Sequence, residues 1–486
     1  MKLIDQLNAA ARCGVPLVGI STPDPAETIR LIVEHVKTQE SPKIAWDMVR
    51  GFRPLNECQP NVGRGECANN PLEAVKMALN VPGESIIVMQ MANRFMSMVP
   101  FIQAVWNCRD EFKGNGRMLI LLGPDLDLPP ELVRDVVMLD EPLPNDQQLE
   151  LIISDLATSA GIECNAEVTK EAINATRGLA AFEAEQVVAM SITKEGLSVS
   201  DCWARKRKAI EKTKGLSVHM EGKRFEEIAG LDQVKRYLKG IMSGPMRPNA
   251  VVWIDEVEKS GLAHTGDMSG VNSDQLGTML TYMEDRKATG VMLVGVPGCG
   301  KSEICKSIAA EFQVLVIRMD MGEMQGSLVG QSQQQLRQAL KTIDAVAGDR
   351  VMFVATSNSI ANLDTALKSR FPDVFFFDLP TEEQIEQAWK IHGQAFGIAD
   401  QPSPECSGWS GRNVQRCCQK AYSMSMTLIE ASEFIIPESV QSAKEIQELR
   451  SGAIGKYLST EYSGAYHDPS IANAKAAKVR RISNAN

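Results

Sequence analysis

Eight consecutive residues, Gly295-Val296-Pro297-Gly298-Cys299-Gly300-Lys301-Ser302, have the make-up of a loop that holds phosphate. Glycines at 295, 298 and 300 permit the backbone turns that aim N–H groups at phosphate oxygens. Lys301 supplies a cation for β- and γ-phosphates, and the Ser302 hydroxyl is a Mg²⁺ ligand. The apolar run 291–294 reads as a strand and 303–312 as a helix, the setting this chemistry needs.

Three further segments carry groups that complete such a site. The run Val251-Val252-Trp253-Ile254 ends in Asp255-Glu256, an acid that can hold Mg²⁺ beside one that can polarise an attacking water. The run 351–357 ends in Asn358, whose amide can align that water. In Ala366-Leu367-Lys368-Ser369-Arg370, the arginine can act as a finger on a neighbouring subunit's nucleotide. Standing alone, each of these reads as an ordinary strand end or a solvated surface group. The phosphate loop makes them a set.

Together these residues resemble the AAA family of ATPases over about 226–450. Phe225-Glu226-Glu227-Ile228-Ala229-Gly230-Leu231 is similar to the family's leading segment, whose backbone near Ile228 to Gly230 would contact adenine. Leu379-Pro380 resembles the passage into the helical lid. Trp409-Ser410-Gly411-Arg412-Asn413-Val414 resembles the lid helix with a nucleotide sensor, which implies Arg412, with Arg416 as the rival. Gly326-Ser327-Leu328-Val329-Gly330-Gln331-Ser332 and Phe375-Phe376-Phe377-Asp378-Leu379-Pro380 resemble the Ycf group of plastid and cyanobacterial AAA proteins. The resemblance implies ATP and Mg²⁺ as cofactors and a homo-oligomer, a hexameric ring remodelling a protein partner. Two departures weaken parts of it. Leu328 stands where many unfoldases place an aromatic pore residue, and Arg370 is single where many relatives carry two arginines.

The order of the parts is the larger departure. Relatives run phosphate loop, pore segment, acidic pair, sensor Asn. Here 250–289, with the acidic pair, precedes 290–350, with the phosphate loop. Exchanging the two blocks restores the family's order, and Asp255 to Asn358 falls from 103 residues to 42 once the 61-residue block is lifted out. A five-residue linker such as 286–290 spans at most roughly 17 Å. Neighbouring strands are only about 4.8 Å apart, so reach permits the rearranged sheet. Crossover hand and crossing connections are the obstacles. If they prevail, the chain is a non-catalytic scaffold. A phosphate-loop kinase or GTPase would leave Asn358, Arg370 and the lid segment without a role.

Length and composition fit a multidomain soluble protein of about three domains. Of 486 residues, 44% are apolar, ample for buried cores, and the net charge of −10 argues against nucleic acid or anionic membrane as partner. Arg205-Lys206-Arg207-Lys208 reads as a solvated helix face. No stretch approaches the ~20 apolar residues of a membrane span. Eleven cysteines without metal-ligand spacing suit reduced thiols and a cytoplasmic setting. Cys299 reads as a small loop residue, with a redox switch as the alternative.

The N-terminal half repeats the α/β pattern without a phosphate loop. Strands are expected at 16–21, 85–90 and 118–122, a helix at 27–38, and Gln90-Met91 stands where an acidic pair would. Gly63-Arg64-Gly65 reads as a polar loop. The expected organisation is a degenerate, nucleotide-free AAA-like α/β domain at 1–150 and a helical lid-like segment and linker at 151–220. A P-loop AAA+ core, a parallel sheet flanked by helices, follows at 221–380, then a helical lid at 381–458 and a disordered tail at 459–486.

Overall fold

The structure, a computed structural model, describes residues 3–37, 40–58, 69–124, 126–141, 143–259, 271–324, 331–348, 350–359 and 365–468. The chain divides into two compact units, Met1–Trp203 and Ala204–Asn486. Both are built on mainly parallel sheets flanked by helices.

In the first unit β1 (Leu17–Ser21), β2 (Lys43–Asp47), β3 (Gly51–Pro54), β4 (Ile86–Gln90), β5 (Met118–Gly123) and β6 (Val137–Asp140) form one sheet in the order β3-β2-β4-β5-β1-β6. All neighbours are parallel except the β2–β3 hairpin at the edge. The central strands are apolar throughout because helices cover both faces, as parallel sheets require. The helix expected at 27–38 runs Pro25–His35, started by Asp24, whose carboxylate accepts from Glu27 N–H. Helices Asp146–Ser159, Ala166–Thr176 and Ala181–Ala189 and the short hairpin β7 (Ile192–Thr193)–β8 (Gly196–Leu197) close the unit.

The second unit holds β9 (Leu216–His219), β10 (Ala250–Ile254), β11 (Thr289–Gly295), β12 (Leu315–Met319), β13 (Val351–Ser357), β14 (Asp373–Phe377) and β15 (Leu458–Ser459), ordered β15-β14-β11-β13-β10-β12-β9. Only β9 is antiparallel. Side chains alternate by face, as strand geometry dictates. Val251, Trp253, Val291, Leu293 and Val354 pack with helices Asp232–Ser243 and Lys301–Phe312. On the other face Phe353 meets Tyr282 of helix Val271–Asp285, with ring centres 6.1 Å apart. That tyrosine donates at 2.7 Å to Asp344 of helix Gln331–Ala347.

The two sheets share one spatial plan. β6-β1-β5-β4-β2 in the first corresponds to β14-β11-β13-β10-β12 in the second. The first chain segment visits the β4 position third; the second visits the equivalent β10 first. Every parallel crossover from β10 to β14 still carries a helix, so the exchanged blocks reach the same sheet by longer connections.

Three expectations need correction. The core does not begin at 221, because β9 at 216–219 already pairs with β12. Lys206 is not solvated; it is 2% exposed. The tail is not disordered from 459. Tyr466 is buried against Phe376, with ring centres 4.5 Å apart, and its hydroxyl donates to Asp378, which also accepts from Arg450 Nε at 2.9 Å. Tyr466, together with the Thr460 carbonyl that accepts from Gln233 N–H at 2.9 Å, ties 459–468 to the rest of the unit. Gly63-Arg64-Gly65, Leu328 and 469–486 lie outside the described residues.

Candidate active site

β10, β13 and β11 lie side by side with Ile254 level with Ala355 and Val294 level with Ser357. Their carboxyl ends therefore deliver Asp255-Glu256, Asn358 and the phosphate loop to one edge, where parallel α/β sheets bind ligands.

The loop's glycines are there for space and for backbone sign. Gly295 has φ +149, and a Cβ on it would sit 2.0 Å from the Phe377 carbonyl oxygen. Gly298 (φ +79) is crowded by Ser410 Oγ at 2.9 Å and Arg412 Cβ at 3.0 Å from such a Cβ. Lys301, 6% exposed, donates from Nζ to the Gly295 carbonyl at 2.7 Å and the Val296 carbonyl at 2.8 Å. Burial pulls its pKa down to about 8. Desolvation in the loop pushes the half-buried Cys299 thiol up to about 12, which favours its protonated form.

The metal side is assembled around Asp255. Ser302 Oγ lies 3.1 Å from Asp255 Oδ1, and Thr356 Oγ1 donates to the same oxygen at 2.7 Å. Thr356 Oγ1 in turn accepts from Glu256 N–H at 3.0 Å, at a residue held at φ +48, which non-glycine residues seldom adopt. Asn358 Nδ2 donates to Glu256 Oε1 at 3.0 Å, and its backbone N–H donates to Glu258 Oε1 at 2.9 Å. Thr356 escaped sequence reasoning because it lies inside an apolar strand. Its signal was the change from apolar to hydroxyl residues in Ala355-Thr356-Ser357-Asn358.

These groups face a cleft of about 350 Å³. Its walls include Ile228, Asp255, Glu256, Pro297 to Ser302, Thr356, Asn358 and Arg412. Gly295 and Val296 stand behind the loop, holding Lys301 through their carbonyls. Gly230 is not in the wall; its N–H donates to Gln387 at 3.4 Å. Arg412, whose N–H donates to the Gly298 carbonyl at 3.2 Å, lines the cleft, whereas Arg416 on the same helix is exposed outside it. Arg370 lies away from this cleft and pairs with Glu284 at 2.6 Å. Sequence reasoning also missed Glu461, a wall residue from the supposed tail.

The donor set fits the expected groups. A glycine cradle with a buried lysine suits phosphate. A serine hydroxyl beside a carboxylate suits a hard divalent cation.

The family model described as SpoVK-like AAA ATPase, N-terminal domain, matches residues 3–141. That described as ATPase family associated with various cellular activities (AAA) matches 291–349. The second match ends within the block 290–350, and the acidic strand that should follow lies upstream as β10. The AAA domain-containing protein ycf46 of Trieres chinensis is 23% identical over 446 residues, 82% of each chain. That of Pyropia yezoensis is 22% identical over 441 residues, 81% of this chain and 82% of its own. A spastin homolog of Caenorhabditis elegans is 21% identical over 221 residues, 35% of this chain and 42% of its own. With the phosphate loop, acidic pair and sensor amide at one sheet edge, these matches make the chain similar to AAA-family ATPases, with an AAA match over 291–349 and a SpoVK-like AAA N-terminal domain over 3–141.

Proposed function

We propose that this chain binds ATP with Mg²⁺ and hydrolyses it, working as a hexameric ring of copies that remodels a protein partner. The observation that carries the reading is the 3.1 Å approach of Ser302 Oγ to Asp255 Oδ1 across the exchanged blocks. The scaffold alternative depended on these two failing to meet. When bound, Mg²⁺ would be held by Ser302 and Asp255, where it offsets charge on the phosphate oxygens. Lys301 exchanges its loop carbonyls for phosphate. Glu256, steadied by Asn358, takes a proton from the attacking water. Arg412 meets the phosphates from the lid.

Arg370 acts on the nucleotide of a neighbouring copy. Its pair with Glu284 has side chains 35% and 63% exposed, so leaving it costs at most ~1 kcal/mol.

The first unit is the nucleotide-free assembly or partner-binding domain in this reading. After β1 it has Thr22-Pro23-Asp24-Pro25 instead of a glycine loop, with the Asp24 carboxylate already on the helix N-terminus. The Thr22 and Thr28 hydroxyls are both committed to Glu141. We place the protein in the cytoplasm on its free thiols. Among the described residues no helix is long and apolar enough to cross a membrane.

Titration with a fluorescent ATP analogue tests the reading. Saturable binding that Lys301→Ala abolishes supports it; binding indifferent to Lys301→Ala removes it.

A further inference from the structure

The ladder between β10 and β13 ends where Ile254 lies level with Ala355. Past that point side chains join the two strand ends. Glu256 N–H donates to Thr356 Oγ1 at 3.0 Å, and Asn358 Nδ2 donates to Glu256 Oε1 at 3.0 Å. The outermost bond runs from Asn358 N–H to Glu258 Oε1 at 2.9 Å, between residues 100 apart in the chain. It occupies a backbone donor one residue beyond Ser357, the last residue of β13.

Glu258 is itself firmly placed. It sits in the single turn Val257–Lys259, which Val257 pins to the core at 0% exposure. Its Oε2 is buried and meets no donor among the described residues, so the bond from Asn358 is what its carboxylate supplies there. A buried N–H that loses its acceptor must take water or move. Either change disturbs the peptide that carries the Asn358 side chain, and with it the bond to Glu256. Catalytic geometry tolerates little of this. A misplacement of about 1 Å caused by a residue away from the chemistry can cost about 100-fold in rate.

We infer that Glu258 is a positioning residue for hydrolysis, fixing the Asn358 backbone so that its amide stays aimed at Glu256. The inference rests on the ATP reading above and adds to it a third acid beyond the pair Asp255-Glu256.

Two substitutions divide position from charge. Glu258→Gln keeps an acceptor oxygen at the same reach and drops the charge, whereas Glu258→Asp keeps the charge and shortens the reach by a methylene. The experiment measures kcat for ATP, affinity for a fluorescent ATP analogue and thermal unfolding on the full chain. It compares wild type, Glu258→Gln, Glu258→Asp, Glu258→Ala, Asn358→Ala and the double variant Glu258→Ala/Asn358→Ala, with Lys301→Ala as the binding blank. Glu258→Ala and Glu258→Asp should lower kcat about tenfold or more while analogue affinity stays within about twofold of wild type. Glu258→Gln should hold kcat within about threefold of wild type. The double variant should be no slower than Asn358→Ala alone, because Glu258 acts through that side chain. If Glu258→Ala does not fold, the contrast between Gln and Asp decides. A folded Glu258→Asp with wild-type kcat, a Glu258→Gln as slow as Glu258→Asp, or a double variant that loses a further tenfold or so overturns the inference. Each of these leaves the ATP reading standing. A wild type without Lys301-dependent binding or without turnover overturns both.

Discussion

Asp255 and Ser302 share a hydrogen bond of 3.1 Å although the chain makes the acid 47 residues before the hydroxyl. In the order expected of relatives the acid comes after the loop. The sheet absorbs the exchange because its spatial order, not its chain order, decides which strand ends are neighbours. β13 lies between β11 and β10, so Asn358 reaches Glu256 from the strand separating the two motifs.

Restoring the usual order should therefore change little. A chain with 290–350 placed ahead of 250–289 should fold to the same sheet, with matching circular dichroism, and retain ATP turnover. Turnover confined to the reordered chain would show that the longer crossovers distort the site.

Much of this was legible from residue types. Motifs at strand ends are readable because an apolar β-rich run followed by glycine, acid or amide marks a sheet edge, and β11, β10 and β13 in turn have those forms. The strap 458–468 was not, because its ordering depends on Tyr466 finding Phe376 and Asp378, contacts between distant segments. β9 was missed for a similar reason. Leu216-Ser217-Val218-His219 is too short to announce itself and exists as a strand only through its pairing with β12.

The strap gives a stability prediction. Tyr466→Ala should destabilise the folded chain by about 3 kcal/mol, the order expected for a buried aromatic. Tyr466→Phe should cost about 1 kcal/mol for the lost hydrogen bond. Chemical denaturation monitored on the second unit measures both, and no change in either would return 459–468 to the status of a loose tail.

Lys301 predicts a pH dependence. Burial lowers its pKa to about 8, so the free protein holds this lysine charged below that pH and loses the charge above it. Phosphate needs the charged form. ATP affinity should therefore fall about tenfold between pH 7 and pH 9, read by titration at fixed ionic strength. The linkage to stability has the opposite direction. The unfolded lysine keeps its proton up to its ordinary value of 10.5, so the cost of burying Lys301 shrinks as pH rises from 8 towards 10.5. A flat affinity profile would show that Lys301 is not the charge that phosphate meets.

Arg370 separates binding from assembly. Arg370→Ala should leave nucleotide affinity and thermal stability nearly unchanged, since its exposed pair with Glu284 contributes at most ~1 kcal/mol. Turnover should drop, and wild-type turnover per chain should rise with protein concentration. Full turnover by a diluted monomer would contradict action across a subunit boundary.

Steady-state ATP turnover of Glu256→Gln, with binding measured on the same sample, tests the central claim most directly. Glu256 is held by Asn358 at 3.0 Å, and in the proposed reading it takes the water's proton while Lys301 and the loop hold the phosphate. The account predicts retained ATP binding with turnover reduced by about 100-fold or more, the size of a lost general base. Turnover equal to wild type, or a wild type that binds ATP and never hydrolyses it, would contradict an assembled ATPase site.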